Sequence, residues 1–180
     1  MLKTKIAVFV SGGGTNFEAL INAQENGKIP HGEIVLMVSS SKTAYALKRA
    51  ENHGIKSVVC SKKELGSQES FEEEILKNLE ENDIQLIVLA GFMSILSKEF
   101  TKKYENRIIN IHPSLIPSFC GEGFYGLHVH EAALKKGVKV TGATVHIVNE
   151  IPDGVPIIMQ RAVYVEENDT PEILQKRVME

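Results

Sequence analysis

Five short apolar runs, separated by stretches with helical spacing, constrain the fold of this 180-residue chain most strongly. Continuous apolar runs are typical of strands buried on both faces of a parallel sheet. They lie at residues 5–10, 33–38, 57–60, 84–90 and 107–111. Helices are predicted between them at 15–27, 43–53 and 69–82; in the last, Phe71, Ile75 and Leu79 form one stripe with acids opposite. The βαβ order predicts an α/β fold, a three-layer αβα arrangement around a mostly parallel, Rossmann-like sheet.

The pattern changes after residue 137. Two alternating runs, VKVTGATVHIV and PIIMQRAVYV, flank the turn-rich segment NEIPDGVP. This arrangement predicts an antiparallel C-terminal extension of the sheet. Asp169-Thr170-Pro171-Glu172 then predicts the start of a last helix. No repeat or linker interrupts the chain, so we expect a single domain over residues 1–180, apparently short at its C-terminus.

Composition narrows the class of protein. A hydrophobic fraction of 43% and a charged fraction of 24% are typical of a folded soluble protein. The net charge of −3 and the scattered basic residues make nucleic acid an unexpected partner. No apolar run is long enough for a bilayer, so we expect no membrane association and a cytoplasmic location. Cys60 and Cys120 lie far apart and suggest neither a disulfide nor a metal site.

A glycine-rich loop, SGGGTN at residues 11–16, joins the first strand to the first helix. Backbone N–H groups of such a loop, next to a helix start, favour an anion, although a tight turn alone would also need glycine. A dinucleotide is disfavoured because Phe17 stands where a third glycine belongs and the second strand ends in serines, not an acid. The Gly-Lys-Ser/Thr of a P-loop is absent from the sequence. A monophosphate fits this loop best.

The segment NIHPSLIP at 110–117 carries the strongest indication of chemistry. Asn110 and His112 lie two residues apart at the carboxyl end of a predicted strand, so their side chains project to the same side. Ligands of open α/β sheets bind at that end. Pro113 and Pro117 stiffen the loop that follows. A lone histidine here is as often structural as catalytic, but the neighbouring amide favours catalysis.

His146 and Asp153 lie seven residues apart around the predicted turn. Taken alone, Asp153 before glycine is an ordinary turn residue. His128 and His130 could be grouped with the other histidines as a metal site, but helical zinc ligands are usually three or four residues apart. We expect no metal. The sequence does not separate the role of His128 from that of His130.

These motifs together resemble the folate-dependent formyltransferase family over essentially the whole chain. The resemblance rests on SGGGTN, AGFMSIL at 90–96, NIHPSLIP and the His146/Asp153 pair. It implies the formyltransferase fold. It also implies transfer of the formyl group of 10-formyltetrahydrofolate, as co-substrate, to the amine of glycinamide ribonucleotide in purine synthesis, without a metal. The single phosphate of that substrate agrees with the reading of the glycine loop.

The resemblance also assigns residues. Asn110, His112 and Asp153 would be catalytic, with His146 and His128 in support. The substrate phosphate would be held by Gly14, Thr15 and Asn16. The folate would be bound by Gln68, Met93, Ser94, Ile95, Leu96, Asn110, Asn149, Glu150, Ile151, Pro152 and Asp153. Apolar side chains among these can cover the faces of a pterin ring.

Three departures and two rival functions accompany the resemblance. Gln68 stands where a basic side chain is expected near the acidic tail of the folate, the chain ends where family members continue, and residues 119–125 form a longer loop. A formyltetrahydrofolate hydrolase or a transfer-RNA formyltransferase would need a further domain. A non-catalytic nucleotide-phosphate-binding module would need only the glycine loop. The sequence leaves the oligomeric state open between monomer and homodimer.

Overall fold

A computed structural model describes residues 2–149 and 156–180 of the chain. Its strands form a seven-stranded sheet in the order β3-β2-β1-β4-β5-β6-β7. The strands are β1 Thr4–Val10, β2 Gly32–Ser39, β3 Lys56–Val59, β4 Leu86–Leu89, β5 Ile108–His112, β6 Val140–Ile147 and β7 Ile157–Tyr164. The helices are α1 Thr15–Glu25, α2 Ala46–Asn52, α3 Lys62–Leu65, α4 Gln68–Glu81, α5 Lys98–Lys103, α6 Leu127–Lys136 and α7 Pro171–Met179.

Strand directions confirm the predicted fold class. β1 pairs in parallel with β2 and β4, and β2 pairs in parallel with β3. β5 and β6, and then β6 and β7, pair antiparallel, as expected of the C-terminal extension. The chain divides into two compact units, residues 1–108 and 109–180, which are described separately below. The expected single domain over 1–180 stays a prediction.

The core of the first unit surrounds β1, whose residues from Ala7 to Val10 are almost completely buried. Phe71, Ile75 and Leu79 of α4 are fully buried, as their spacing predicted. The expectation that the acids of this helix face solvent was wrong for Glu72, which is only 7% exposed. Its carboxylate is buried because it accepts hydrogen bonds from Ser97, at the start of α5.

The predicted start of the second helix differs from the structure for a local reason. The second helix begins at Ala46 rather than at residue 43. Ahead of it, the Ser39 hydroxyl accepts the N–H of Ser41, and the Ser41 hydroxyl accepts the N–H of Thr43. Such side-chain bonds offer the backbone an alternative to the helix. The short helices α3 and α5 were not predicted, since they have only four and six residues and no extended apolar stripe.

The last helix begins where the sequence predicted. The Thr170 hydroxyl accepts the N–H of Ile173 at 3.3 Å, and Pro171 occupies the first turn. Arg177 of the same helix binds both carboxylate oxygens of Asp169, at 2.6 and 2.7 Å. Within the described ranges, every helix is too short or too polar to cross a membrane.

Candidate active site

The glycine loop of the first unit is open to solvent and leads directly into α1. Gly12, Gly13 and Thr15 are exposed, whereas Gly14 is buried and precedes the helix with a positive φ of 72°. A Cβ on Gly14 would lie 2.7 Å from the Cβ of Ala46 in α2. Only glycine fits both this conformation and this close approach. The loop therefore presents backbone at the start of α1, as an anion site requires.

Ser11 connects this loop to the segment after β4. Its N–H donates to the carbonyl of Gly91 at 3.0 Å, and its hydroxyl accepts the N–H of Met93 at 2.8 Å. The same hydroxyl shares a 2.6 Å hydrogen bond with the hydroxyl of Ser40, which follows β2. Ser11 therefore fixes three loops that follow three neighbouring parallel strands.

Residues 93–96, predicted to line a folate pocket, form a loop in the first unit. Met93 and Ile95 are 55% and 80% exposed, which is unusual for large apolar side chains so close together. Gln68 fastens this loop, because its amide donates to the carbonyl of Ile95 at 3.0 Å and to Glu72 at 2.6 Å. Its predicted folate contact remains a prediction; in the structure its amide nitrogen bonds Ile95 of the loop and Glu72 of its own helix.

Four ionisable side chains join α1 to α2 and to the residue after α2, behind the glycine loop. Arg49 donates from Nε to the carbonyl of Gly13 at 2.9 Å, and its Nη1 lies 2.9 Å from Glu18. His53 bonds Glu18 at 3.2 Å and Glu25 at 2.9 Å. The hydrogen bond from Arg49 is the main cause that lowers the pKa of Glu18, with His53 adding to it. Hydrogen bonds from Glu25 and then Glu18 raise the pKa of His53.

The raised pKa of His53 predicts a pH-dependent contribution to stability. The protonated ring donates to both carboxylates, whereas the neutral ring donates to one. Folded protein therefore binds this proton more tightly than unfolded chain, whose histidine pKa is about 6.5. The stabilisation should be complete below that pH and be lost as pH rises through the folded pKa. We expect wild type to exceed His53→Gln in its urea midpoint at pH 5.5 and to approach it by pH 9.

A matched control for this measurement is His31→Gln, because His31 is exposed and lies in the turn before β2. That variant should show the same small difference from wild type at every pH. A pH-independent difference for His53→Gln would contradict the assignment of the proton to this histidine.

In the second unit, Asn110 and His146 lie opposite each other on β5 and β6. Nδ1 of His146 lies 3.1 Å from the carbonyl of Ile147, which can only accept, so this nitrogen carries the proton. In the neutral ring Nε2 then accepts, and it lies 3.1 Å from Nδ2 of Asn110. His146 is 1% exposed. His146 therefore fixes which way the Asn110 amide faces. The hydrogen bond between them uses one of the two N–H groups of Asn110.

His112 is held in the same way by backbone. Its Nε2 lies 2.8 Å from the carbonyl of Phe119, so Nε2 carries a proton and Nδ1 holds the lone pair of the neutral ring. Phe119 has a positive φ of 51°, which turns this carbonyl in the loop after β5. His112 is 4% exposed and follows Asn110 by two residues on β5. The predicted same-side placement of these two residues agrees with the strand.

A buried hydroxyl organises the loop between His112 and Phe119. Thr144, fully buried on β6, donates to the carbonyl of Ser114 at 2.6 Å. It accepts the N–H of Ile116 at 3.1 Å and the amide of Gln160 at 2.9 Å. One donated and two accepted hydrogen bonds use the full capacity of a hydroxyl. The peptide bond between Ile116 and Pro117 is cis.

Replacing Thr144 by valine should therefore destabilise the fold by about 1–3 kcal/mol, because it leaves buried polar partners without their hydroxyl. Thr141→Val is the matched control on the same strand: Thr141 is 2% exposed, and among the described residues its hydroxyl has no partner. That change should cost less than about 0.5 kcal/mol or stabilise. Urea unfolding of both variants measures the difference, and equal losses would contradict the network.

The structure separates the two histidines that the sequence left together. His128, near the start of α6, is exposed and lies 3.0 Å from Glu131. His130 is fully buried, and within the described part of the chain neither ring nitrogen has a hydrogen-bond partner. Burial, and then the proximity of His112, lower the pKa of His130. The supporting role predicted for His128 stays a prediction.

The predicted loop from Asn149 to Asp153 is mostly outside the described residues. Asn149 is half-buried just after β6. Glu150, Ile151, Pro152 and the predicted catalytic Asp153 are not among the residues that the structure describes. In residues 2–149 and 156–180, no three His, Cys, Asp or Glu side chains are grouped to hold a metal ion.

Sequence reasoning missed the residues that position the site. Thr144 and Gln160 had one available indication, since they are polar residues at facing positions of two strands. The contact between His112 and Phe119 uses the backbone carbonyl of Phe119, so the pattern of side chains in the sequence does not indicate it. Arg49 stands beside Lys48 in a helix, and nothing in the sequence distinguishes their roles.

Comparison with known proteins identifies the class. The formyl transferase family matches residues 4–180. The chain therefore belongs to the formyl transferase family. A Bacillus subtilis relative named phosphoribosylglycinamide formyltransferase is 38% identical over 97% of this chain and 86% of its own length. A Gallus gallus relative, named trifunctional purine biosynthetic protein adenosine-3, is 47% identical over 99% of this chain.

The chain spans 17% of the length of the Gallus gallus relative and 61% of a chloroplastic phosphoribosylglycinamide formyltransferase of Arabidopsis thaliana. Solved structures agree with the fold. The phosphoribosylglycinamide formyltransferase of Brucella melitensis aligns with a TM-score of 0.89 and 43% identity, over 98% of this chain and 88% of that one. Glycinamide ribonucleotide transformylase 1 of Geobacillus kaustophilus gives 0.90 and 37%, over 98% and 91%.

Proposed function

We propose that this chain transfers the formyl group of 10-formyltetrahydrofolate to the amine of glycinamide ribonucleotide, a step of purine synthesis. The observation that carries the proposal is the pair of oriented groups on β5, the Asn110 amide fixed by His146 and the His112 ring fixed by the Phe119 carbonyl. The names of the relatives, which include phosphoribosylglycinamide formyltransferases at 38% identity, support this substrate.

The formyl-transfer reaction requires the polar groups that these residues provide. The substrate amine attacks the formyl carbon, and the carbonyl electron pair moves to oxygen. The tetrahedral intermediate then carries negative charge on oxygen and positive charge on nitrogen. Asn110 has a second N–H for that oxygen, a donor of the kind that contributes about 3 to 4 kcal/mol in other acyl transfers. The bond from carbon to the folate nitrogen then breaks, and that nitrogen takes the electron pair and a proton.

His112 is proposed to move protons in this reaction. The hydrogen bond from Nε2 to the Phe119 carbonyl fixes the ring, and the His112 imidazole is proposed to take a proton from the attacking amine. Asp153 is proposed as the third member from the family resemblance, either to fix and strengthen His112 or to pass the proton to the leaving nitrogen through water. His146 positions Asn110, and His128 stays a proposed supporting residue.

Substrate binding is assigned to the remaining predicted residues. Gly14, Thr15 and Asn16 would hold the phosphate at the start of α1, where backbone N–H groups and the helix dipole favour an anion. The exposed apolar side chains of Met93 and Ile95 suit the faces of a pterin. Ser94, Leu96, Gln68 and residues 149–153 complete the proposed folate contacts. Formyl folate is a co-substrate here, and the reaction needs no metal.

We further propose a cytoplasmic enzyme, monomeric or homodimeric, whose partners are these two small molecules. The relatives include chloroplastic proteins of Arabidopsis thaliana and Vigna unguiculata, and cell fractionation is the test of the proposed location. Size-exclusion chromatography with light scattering would give the oligomeric state.

The first test is a spectrophotometric assay of the purified chain with 10-formyltetrahydrofolate. Folate release that requires glycinamide ribonucleotide supports the transferase. Release without it would point to a hydrolase, and no release in either case would point to a binding module. Ribose 5-phosphate is the matched control, because it carries the phosphate but no amine and should give no release.

A further inference from the structure

The carbonyl groups of the glycine loop are fastened to α2. The carbonyl of Gly12 accepts the N–H of Ala46 at 3.2 Å, and the carbonyl of Gly13 accepts Nε–H of Arg49 at 2.9 Å. In a trans peptide the C=O and N–H of one unit point in opposite directions. The N–H groups of Gly13 and Gly14 therefore point away from α2. Over the ranges that the structure describes, neither of them donates to another protein group.

Arg49 is itself held on three sides, by the Gly13 carbonyl, by Glu18 and by the ring of Tyr45. Nη1 lies 2.9 Å from the carboxylate of Glu18, and the guanidinium lies 5.1 Å from the ring centroid of Tyr45. Glu18 is bonded in turn by His53. The Arg49 side chain is 23% exposed. Because a guanidinium is planar, a partner at Nη1 fixes the direction in which Nε donates.

We propose that Arg49 is a positioning residue for the anion site of the glycine loop. Through the Gly13 carbonyl it holds the N–H of Gly14 toward the phosphate of the substrate. This inference rests on the proposed function and deepens it, because it gives Arg49 control over the affinity for the phosphate-bearing substrate. Arg49 takes no part in formyl transfer.

Three substitutions at this position separate its hydrogen bond from its charge. Arg49→Gln keeps an N–H donor at the position of Nε and removes the charge. Arg49→Lys keeps the charge and moves the donor one bond further along the side chain. Arg49→Met removes both at similar length. Lys48→Met is the matched control, since Lys48 lies on the same helix and pairs with Glu51 at the surface.

If Arg49 positions the loop, Arg49→Met and Arg49→Lys should raise KM for glycinamide ribonucleotide about tenfold, the effect expected from one hydrogen bond. Arg49→Gln should stay within about threefold of wild type. In all three variants kcat and the KM for formyl folate should change less than about twofold, because the group acts only on phosphate affinity. Lys48→Met should match wild type throughout.

A lysine variant like wild type together with a glutamine variant like methionine would overturn the proposal in favour of plain charge. Equal changes in both KM values, or a fall in kcat, would overturn it in favour of a general structural role. If Arg49→Met does not fold, the comparison of glutamine with lysine decides. Titration with ribose 5-phosphate keeps the test independent of turnover: a chain without formyl transfer refutes the proposed function, while the same order of affinities among variants supports Arg49.

Discussion

Replacement of His112 by alanine should lower kcat for formyl transfer by a factor of 10² or more, the usual loss when a proton-transfer group is removed. The ring is buried and is fixed by the 2.8 Å hydrogen bond from Nε2 to Phe119, and it is the group proposed to accept the amine proton. Alanine leaves neither acceptor nor donor there. Single-turnover measurement of formyl transfer, with both substrates saturating, isolates this step from product release.

Two controls accompany the His112 variant. Affinity for ribose 5-phosphate should stay unchanged, because phosphate binding is assigned to the glycine loop. His31→Ala, an exposed histidine in the turn before β2, should turn over like wild type. Full turnover by His112→Ala would contradict the proposed mechanism. Loss of turnover accompanied by loss of the folded state would instead show that the Phe119 contact is structural.

Local pattern was enough to predict the strands of the sheet and the helices α1, α2, α4 and α7. Continuous apolar runs predicted the strands of the parallel sheet, because a strand buried on both faces is apolar at every position. Alternation after residue 137 predicted β6 and β7, because a strand buried on one face is apolar at every second position. The predicted stripe of α4 is buried as expected. Glu72 is buried as well, because Ser97, 25 residues further along the chain, donates to it. A partner that distant is not visible in helical periodicity.

In the candidate site, too, local pattern predicted some features, and contacts with distant segments determine the others. The sequence placed Asn110 and His112 on one side of a strand, and the register of β5 with β6 agrees. What it could not give is the direction of each polar group. That depends on the carbonyls of Phe119 and Ile147 and on the hydroxyl of Thr144, which come from other segments. The residue types of Asn110 and His112 therefore indicated a possible chemistry, whereas contacts with distant segments determine how their polar groups are oriented.

Replacement of Asn110 should cause the second large loss of kcat. Asn110→Ala is expected to lower kcat by about 10² to 10³, as removal of one oxyanion donor does elsewhere, because no amide N–H is left for the developing charge. Asn110→Asp should lose at least as much, since a carboxylate of the same shape places negative charge beside that oxygen. Single-turnover transfer rates with saturating substrates measure both changes.

The contribution of His146 can be separated from that of Asn110 by a double-mutant cycle. His146 accepts an N–H of the amide at 3.1 Å and acts through it, so His146→Ala alone should slow transfer less than Asn110→Ala does. Once Asn110 is alanine there is no amide to orient. The double variant should therefore be about as slow as Asn110→Ala alone, which is the non-additivity expected of groups that act as one unit. If the two losses multiplied instead, His146 would act on the reaction independently, and its assignment as a positioning residue would be wrong.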